Sequence, residues 1–273
     1  MESTEPAKIS VRHVVKVFGD AARALPLLRE GRSKAEVLAA TGAKVALNDV
    51  SLDIAAGEVF VIIGLSGSGK STLVRHLNRL IDPTAGEVAI DGRNILELDA
   101  AGLRELRRHR ISMVFQGFAL LPHRTVQDNV AYALRVRGEA SDAARAKARE
   151  WIAKVGLEGY EEAWPDELSG GMKQRVGLAR ALAADTEIVL MDEAFSALDP
   201  LIRAEMQDQL LQLQATLNKT IVFITHDIAE ALRLGQRIAI LHDGQLLQVG
   251  TPQEIVNRPV NEHVRRFVEK RAG

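Results

Sequence analysis

The stretch GLSGSGKST, residues 64–72, fits the pattern G-x-x-x-x-G-K-[ST]. The apolar run VFVII (59–63) precedes it and the helical pattern STLVRHLNRL follows it, which is the strand–loop–helix context that the pattern requires. Glycines in such a loop let backbone N–H groups point at phosphate oxygens, and the helix N-terminus adds positive charge. A Gly/Ser turn that matches by chance would need neither the strand nor the helix. The stretch therefore predicts a nucleotide-binding α/β fold.

Each polar or glycine position of this phosphate loop is a candidate ligand for a nucleoside triphosphate. Lys70 is expected to reach the β- and γ-phosphates, and the Ser71 hydroxyl is expected to hold the accompanying Mg²⁺. The expected phosphate-binding residues are Gly64, Ser66, Gly67, Ser68, Gly69, Lys70, Ser71 and Thr72.

The segment IVLMDE (188–193) supplies the carboxylates that such a loop needs. Its four apolar residues predict a buried strand, and ligands of open α/β sheets bind at the carboxyl ends of strands. Asp192 is the candidate Mg²⁺ ligand, and Glu193 is the candidate base for the attacking water. A strand that ends in a solvated acidic turn is the alternative, which the upstream phosphate loop disfavours.

Two further polar residues end predicted apolar strands. His226 follows IVFIT, and Gln116 follows ISMVF. A lone histidine at such a position is more often structural than catalytic. If the strand IVFI lies beside IVLM, His226 is expected to reach the γ-phosphate region. Gln116 is a candidate sensor of Mg²⁺ and water.

The segment ELSGGMKQR (167–175) forms a second glycine turn that leads into a helix but lacks a lysine. Ser169, Gly170 and Gly171 are expected at the helix N-terminus, where backbone N–H groups favour anions. With a serine donor and no lysine, the turn alone would hold a triphosphate weakly. It is therefore expected to supply half of a site that a second copy of the chain completes. An ordinary Ser-capped helix is the alternative.

Composition excludes several classes of function. The 273 residues carry 35 Lys+Arg and 36 Asp+Glu, so broad binding of nucleic acid is not expected. The absence of cysteine excludes disulfides, thiolate zinc sites and cysteine nucleophiles, and it fits a reducing cytosol. The start of the chain has no apolar signal core. No apolar run approaches the roughly 20 residues that span a bilayer, so membrane spans are expected to come from other chains.

The order of patterns predicts one α/β domain with insertions. Strands are predicted at 9–18, 45–54, 59–63, 188–191, 221–224 and 237–241, and helices at 24–42, 70–80, 99–110, 140–155, 200–217 and 227–234. Ser33 with Glu36 predicts a capping box, and Gly42 predicts a helix stop. The predicted division is a core of 1–98 and 169–250, a helical subdomain of 99–168 and a helical tail of 251–273.

One set of motifs occurs in order along the chain: GLSGSGKST, Gln116, LSGG, IVLMDE, SALD (196–199) and His226. With these motifs the chain resembles the nucleotide-binding subunit of ATP-binding cassette (ABC) transporters over essentially its whole length. The resemblance implies a P-loop NTPase (RecA-like) core with an antiparallel β subdomain and an inserted helical subdomain. It implies ATP and Mg²⁺ as ligands and Glu193 as the catalytic base.

The resemblance also assigns positions in an assembly. It implies that Ser169, Gly170 and Gly171 contact γ-phosphate across an ATP-sandwich homodimer, that Asp199 lies at the dimer seam, and that Phe18 stacks on adenine. A strand-end Phe that belongs to the core is the alternative for Phe18. Gln116 is expected to link Mg²⁺ to integral membrane permease subunits. An extracytoplasmic substrate-binding protein is the indirect partner, and the cytoplasmic face of the inner membrane is the expected location.

Two departures refine the resemblance. Met172 stands where the family usually has Gln, and AFSALD follows the acidic pair where Pro-Thr is common. With an insert at 20–42, the motifs look like the branch that imports glycine betaine, proline and related compounds. Members of that branch often carry C-terminal regulatory domains, and a chain that ends at 273 is expected to be a short form or a trimmed one.

Three alternatives stay open from the sequence. The resemblance implies an ATP-hydrolysing motor subunit of an importer, and the same motor could instead serve amino acid uptake, such as that of histidine. A soluble ABC ATPase acting on ribosomes or DNA would usually carry two cassettes, coiled-coil inserts or zinc motifs. A nucleotide-binding module without hydrolysis is disfavoured by Glu193 and His226.

Overall fold

A computed structural model describes residues 7–196 and 198–269. In chain order its strands and α-helices are β1 Ile9–Phe18, α1 Ala21–Arg29, α2 Lys34–Thr41, β2 Lys44–Ile54, β3 Val59–Ile63, α3 Lys70–Leu77, β4 Ala85–Ile90, β5 Arg93–Asn94, α4 Ala100–His109, β6 Ile111–Val114, α5 Val126–Val136, α6 Ser141–Lys154, α7 Gly170–Ala183, β7 Ile188–Asp192, α8 Pro200–Leu217, β8 Thr220–Thr225, α9 Ile228–Leu234, β9 Arg237–His242, β10 Gln245–Gly250, α10 Pro252–Asn257 and α11 Glu262–Glu269. The predicted α/β class is confirmed.

The chain divides into two compact units. The first combines the residues up to Asp99 with those from His226 onward, and the second runs Ala100–Thr225. Residues 1–6 of the predicted core, Ala197 of SALD and residues 270–273 of the predicted tail lie outside the described residues. The predicted division into core, helical subdomain and tail stays a prediction.

An antiparallel sheet with the strand order β2-β1-β4-β5 forms one part of the first unit. In β1, Ile9 lies opposite Ile54 of β2 on one side and Ile90 of β4 on the other. In the same unit, β3 pairs in parallel with β9, and β9 pairs antiparallel with β10. Every residue of β3 is buried, as its continuous apolar run predicts. The phosphate loop leaves the carboxyl end of this strand.

Two short helices, α1 and α2, form an insert between β1 and β2. Asp20 caps α1, and the predicted capping box of Ser33 and Glu36 begins α2. Gly42 ends α2 in the left-handed conformation with φ 71°, as predicted. Ala24 and Val37 of the insert pack with Val17 and Val45 of the strands on either side, which fixes the insert to the sheet.

The second unit has three parallel strands in the order β8-β7-β6. Val114 of β6 lies opposite Met191 of β7, and Asp192 of β7 lies opposite Ile224 of β8. β7 and β8 are buried at every position. The carboxyl ends of the three strands therefore meet at one edge, where the polar residues that follow them come together.

Helices α5, α6 and α7 of this unit share one apolar cluster. Its fully buried members include Val130, Leu134, Ala148, Ile152 and Val176. Small residues such as Ala148 let the helices approach closely. This cluster holds α7, and therefore the glycine turn at its start, against its neighbours.

The structure corrects several predicted elements. The helix predicted over 24–42 is two helices, and that predicted over 70–80 ends at Leu77. Strands β4, β5 and β10 and helix α5 were not predicted. In α5, Gln127 and Asn129 are buried and hydrogen-bonded, so its polar residues obscure the apolar period. Within the described part of the chain, no helix has the length and apolarity to cross a bilayer.

Two glycines of the antiparallel sheet provide a matched test of packing. Gly86 and Gly92 both have left-handed backbones, with φ 93° and 73°. A Cβ on Gly86 would lie 2.6 Å from the carbonyl oxygen of Arg12 and would collide with that of His13, whereas a Cβ on Gly92 would meet nothing within 4 Å. We expect Gly92→Ala to cost about 1–2 kcal/mol of unfolding free energy, and Gly86→Ala about 1–3 kcal/mol more.

Urea unfolding of both variants would measure this difference. Equal losses of unfolding free energy would show that the backbone near Gly86 can move aside for a Cβ atom without loss of stability, which would contradict the close packing inferred there.

Candidate functional site

Two glycines of the phosphate loop stand where a side chain would meet neighbouring backbone. A Cβ on Gly64 would collide with the carbonyl oxygen of Leu241 at the end of β9. Gly69 has φ 102°, and its Cβ would lie 2.8 Å from the carbonyl oxygen of Ala46 in β2. The loop therefore fits closely against backbone on both sides, which holds its shape before any ligand binds.

Lys70 begins α3 and is buried within the loop that precedes it. Its Nζ donates to the carbonyl oxygens of Gly64, at 2.8 Å, and Leu65, at 3.1 Å. These two bonds keep the ammonium group at the loop, where a phosphate chain would need it. Ser71 and Thr72 follow in the first turn of the helix and are partly buried.

The other predicted loop residues differ in exposure. Ser66 and Gly67 are exposed at the tip, while Ser68 is buried. The Ser68 hydroxyl is a buried polar atom for which the described residues offer no hydrogen-bond partner. Such a group costs free energy unless a ligand satisfies it. A glycine-rich loop with a lysine and an unsatisfied hydroxyl fits a phosphate chain.

In the second unit, the carboxyl edge of β6 and β7 brings two predicted catalytic residues together. Gln116 follows β6, Glu193 follows β7, and the Gln116 Nε2 donates to Glu193 Oε2 at 3.1 Å. Asp192, the last residue of β7, is only 1% exposed. A carboxylate aligned by an amide, beside a second buried carboxylate, is suited to orienting and deprotonating a water molecule.

The backbone at Glu193 is unusual. Its φ of 48° lies in the left-handed region, which costs about 1–2 kcal/mol for a residue with a side chain. Two bonds hold it there: its N–H donates to the carbonyl oxygen of Ile224 at 3.2 Å, and its own carbonyl accepts from the Ser196 hydroxyl at 2.9 Å. Strain held by its surroundings is typical of functional positions.

His226 and Phe18 are the two other predicted site residues at the ends of strands. The expected pairing of IVFI with IVLM is confirmed, since β8 lies beside β7, and His226 follows β8 directly and is exposed. Phe18 ends β1 with 44% of its surface exposed, and the Lys16 ammonium lies 5.1 Å from its ring centre. The alternative that Phe18 belongs to the core is therefore wrong.

The second glycine turn begins a helix as predicted. Ser169 caps α7 by accepting from the Met172 N–H at 3.3 Å, and Gly170 and Gly171 form the first turn. Ser169 and Gly170 are exposed. Asp199 caps α8 in the same way, accepting from the Ile202 N–H at 3.1 Å. Both helix starts therefore present backbone N–H groups on the surface of the second unit.

One residue that sequence reasoning missed ties α7 to the loop after Gln116. The Arg180 guanidinium donates to the carbonyl oxygens of Phe118, at 3.1 Å, and Ala119, at 2.7 Å. Phe118 and Ala119 both have left-handed backbones, with φ 60° and 48°. Burial lowers the pKa of Arg180, although an arginine stays charged at neutral pH. The sequence signal was a single cation inside the apolar run VGLARALA.

The described residues contain no group of three or more His, Cys, Asp or Glu side chains that could hold a metal by themselves. Mg²⁺ in nucleotide sites takes most of its ligands from water and phosphate and only one or two from protein oxygens. The hydroxyl of Ser71, the carboxylate of Asp192 and the amide of Gln116 belong to the ligand types that Mg²⁺ prefers. Each unit by itself therefore offers ligands of this kind, and the assignment of the three residues to one ion stays a prediction.

Comparison with known families matches residues 47–196 to a family described as ABC transporter. The matched range contains the phosphate loop, Gln116, the glycine turn at 168–171 and both carboxylates.

Two curated proteins are similar along nearly the whole chain. The glycine betaine/proline betaine transport system ATP-binding protein ProV of Salmonella typhimurium is 57% identical over 261 residues, which cover 95% of this chain and 65% of that protein. The glycine betaine transport ATP-binding protein OpuAA of Bacillus subtilis is 56% identical over 266 residues, which cover 97% of this chain and 64% of that protein. The chain thus spans slightly less than two thirds of the length of these relatives.

Among solved structures, a dimeric ATP-binding cassette in a post-hydrolysis state with bound ADP and Pi superimposes with a TM-score of 0.78. The two chains are 33% identical, and the match covers 89% of this chain and 98% of that one. The predicted fold, a P-loop NTPase core with an antiparallel β subdomain and a helical insertion, is confirmed by this likeness.

Two arginines of α7 give a matched test of the loop after Gln116. Arg180 bonds to that loop, whereas Arg175 donates to the carbonyl oxygens of Val155 and Gly156 elsewhere. We expect Arg180→Met to cost about 1–3 kcal/mol of stability, because it leaves carbonyls without their charged donor. It should also raise hydrogen exchange across 116–121.

Arg175→Met is the control and should leave exchange across 116–121 unchanged. The same increase in both variants would mean that exchange in this loop reports only global stability.

Proposed function

Because the chain belongs to the ABC transporter family, we propose that it is the ATP-hydrolysing subunit of an importer for glycine betaine and related compatible solutes. The hydrogen bond between Gln116 and Glu193 is the observation that carries the catalytic part of this proposal. It joins the predicted base to the predicted Mg²⁺ and water sensor, as general-base hydrolysis would need.

The phosphate loop supplies binding in this proposal. Lys70 and the loop N–H groups hold the β- and γ-phosphates, with the hydroxyls of Ser68, Ser71 and Thr72 as further donors. Ser66, Gly64, Gly67 and Gly69 shape the loop. Phe18 offers an exposed ring at a strand end, and base stacking on such a ring contributes about 1–3 kcal/mol.

The carboxyl edge of the second unit supplies the chemistry. Glu193 orients and deprotonates the water that attacks the γ-phosphate. His226, the first residue after β8, assists at the same phosphate. Mg²⁺ would be held by Ser71 and Asp192, with Gln116 as a further ligand, and it would neutralise charge on the phosphates. Because Glu193 is already aligned by Gln116, little rearrangement is needed at the base.

The turn at Ser169, Gly170 and Gly171 suits a site that is shared between two copies. It has exposed N–H donors and a hydroxyl but no lysine, so it would grip a γ-phosphate that another loop already holds. The dimeric cassette to which the chain is similar supports such pairing. Asp199, exposed at the start of α8, would lie at the seam. ATP favours the closed pair because the turn meets ATP only on closure.

The membrane partners and the solute follow from the relatives rather than from the site. ProV and OpuAA are named as ATP-binding proteins of glycine betaine transport, so permease subunits in the membrane and an external substrate-binding protein complete the proposed importer. The chain would then work at the cytoplasmic face of the membrane. The solute itself would contact those partners rather than this subunit.

Two substitutions separate binding from hydrolysis. Lys70→Ala should weaken ATP binding strongly, because it removes the charge held at the loop. Glu193→Gln should keep binding but lower hydrolysis by about 10²–10⁴-fold, since it removes the base. Binding of a fluorescent ATP analogue and phosphate release would measure the two effects.

The solute is tested in cells that lack this gene. Restoring the wild-type chain should restore glycine betaine uptake, and the Glu193→Gln chain should not. Uptake of histidine but not betaine would refute the proposed solute class.

The assignment of the base has its own contradicting outcome. Phosphate release by Glu193→Gln at the wild-type rate would refute it.

A shared site predicts pairing that depends on ATP. Glu193→Gln protein should form dimers when ATP is added, and a further Ser169→Arg change should abolish them, because the large side chain blocks the turn. Ser141→Arg, at the exposed start of α6, is the matched control and should leave the dimer intact.

Light scattering would give the molar mass in each case. Dimers that survive Ser169→Arg would contradict the role of this turn across the pair.

A further inference from the structure

The phosphate loop rests on a platform made by two other segments of the first unit. The N–H of Gly244, in the turn between β9 and β10, donates to the carbonyl oxygen of Ser68 at 2.9 Å. The carbonyl of Gly244 accepts from the Asn48 N–H of β2 at 2.8 Å. Ala46 of the same strand lies directly behind Gly69. The position of the loop therefore depends on how β2 and this turn are held together.

Lys34, the first residue of α2 in the insert, bridges these two segments. Its Nζ lies 3.3 Å from Asp243 Oδ1 in the turn and 3.4 Å from the carbonyl oxygen of Ala46 in β2. Its side chain passes so close to Gly244 that a Cβ there would collide with Nζ and would lie 2.9 Å from Cε. The insert thus reaches the back of the platform through one side chain.

The Lys34 end of the bridge is largely buried, whereas the side chain of Asp243 is 67% exposed. The Lys34 side chain is 16% exposed, unlike most surface lysines. Burial lowers the pKa of Lys34, and the Asp243 carboxylate opposes that change. The capping box of Ser33 and Glu36 fixes the helix start from which Lys34 projects. Asp243 has a left-handed backbone with φ 44°, which keeps the turn tight.

We propose that Lys34 is a positioning residue for nucleotide binding, through which the insert of α1 and α2 sets the affinity of the phosphate loop for the triphosphate. Lys34 does not touch the nucleotide. It joins Asp243 to the Ala46 carbonyl, and these hold the turn and the strand against which Ser68 and Gly69 pack. The inference rests on the proposed function, since it concerns ATP bound by the phosphate loop.

The coupling works in both directions. If the insert stabilises the binding form of the loop, ATP must stabilise the insert by the same factor. ATP should therefore slow hydrogen exchange in α2, although no residue of that helix contacts phosphate in this proposal. A ligand that bound the insert more tightly in one form of the loop than in the other would change ATP affinity by the same route.

The test uses three single variants of the chain and the double variant of Lys34→Met with Asp243→Asn. Lys34→Met removes the ammonium and keeps much of the side chain's length. Asp243→Asn removes the partner charge and keeps a residue that tolerates the left-handed backbone. Arg29→Met, at the exposed end of α1, removes a positive charge from the insert without reaching the platform. Each is titrated with Mg-ATP, and hydrogen exchange in α2 is measured with and without ATP.

We expect Lys34→Met and Asp243→Asn each to weaken ATP binding about fivefold or more. Their KM for ATP should rise while kcat stays near that of the wild type, which a general loss of stability would not produce. The double variant should bind no more weakly than either single variant, because both remove one bridge. ATP should protect α2 in the wild type and in Arg29→Met but not in Lys34→Met.

Wild-type affinity in both bridge variants would overturn the inference while leaving the proposed function intact. Equal weakening in Arg29→Met would also overturn it, since the effect would then follow the charge of the insert rather than the bridge. If Lys34→Met fails to fold, Asp243→Asn decides. Binding of ATP to the wild-type chain is measured before any variant, because a failure to bind would overturn the proposed function itself.

Discussion

The close approach of Gly64 to the carbonyl of Leu241 is the constraint on which the nucleotide loop depends. It follows from the parallel pairing of β3 with β9, in which Ile63 lies opposite Ile240. The loop is therefore not a local structure, although its motif is local in sequence. Its shape requires a strand from the last fifth of the chain, so the loop can be complete only after distant segments have paired, at the entropic cost of closing a long loop.

The predicted catalytic residues of the second unit also depend on pairing between strands that are distant in sequence. Gln116 and Glu193 are 77 positions apart in the sequence, and parallel strands bring their side chains within hydrogen-bond distance. The left-handed backbone at Glu193 aims its side chain, and bonds to Ile224 and Ser196 hold that conformation. Arg180 holds the loop that follows Gln116 in the same manner, by bonding to carbonyls of strained residues.

Structural features that depend on residues close in sequence were predicted well. Buried strands, helix caps such as Ser33, and the helix start at Ser169 could be predicted because apolar period and capping chemistry act within a few residues. Features that depend on contacts between residues distant in sequence were predicted poorly. Helix α5 was missed because Asn129 is buried among backbone carbonyls, and Arg180 was missed because its acceptors lie about sixty positions away. The roles of the site residues remain predictions, since they concern ligands and a second chain.

The cap of α7 does not depend on which side chain stands at position 172. Ser169 bonds to the backbone N–H of Met172 and makes no use of the side chain at that position. The side chain of Met172 instead packs against the apolar cluster of α5, α6 and α7. A substitution at position 172 should therefore be felt in the packing of this helical cluster rather than in the glycine turn. The start of α7 thus separates two requirements within one residue: the backbone N–H of Met172 serves the cap, and its side chain serves the interior.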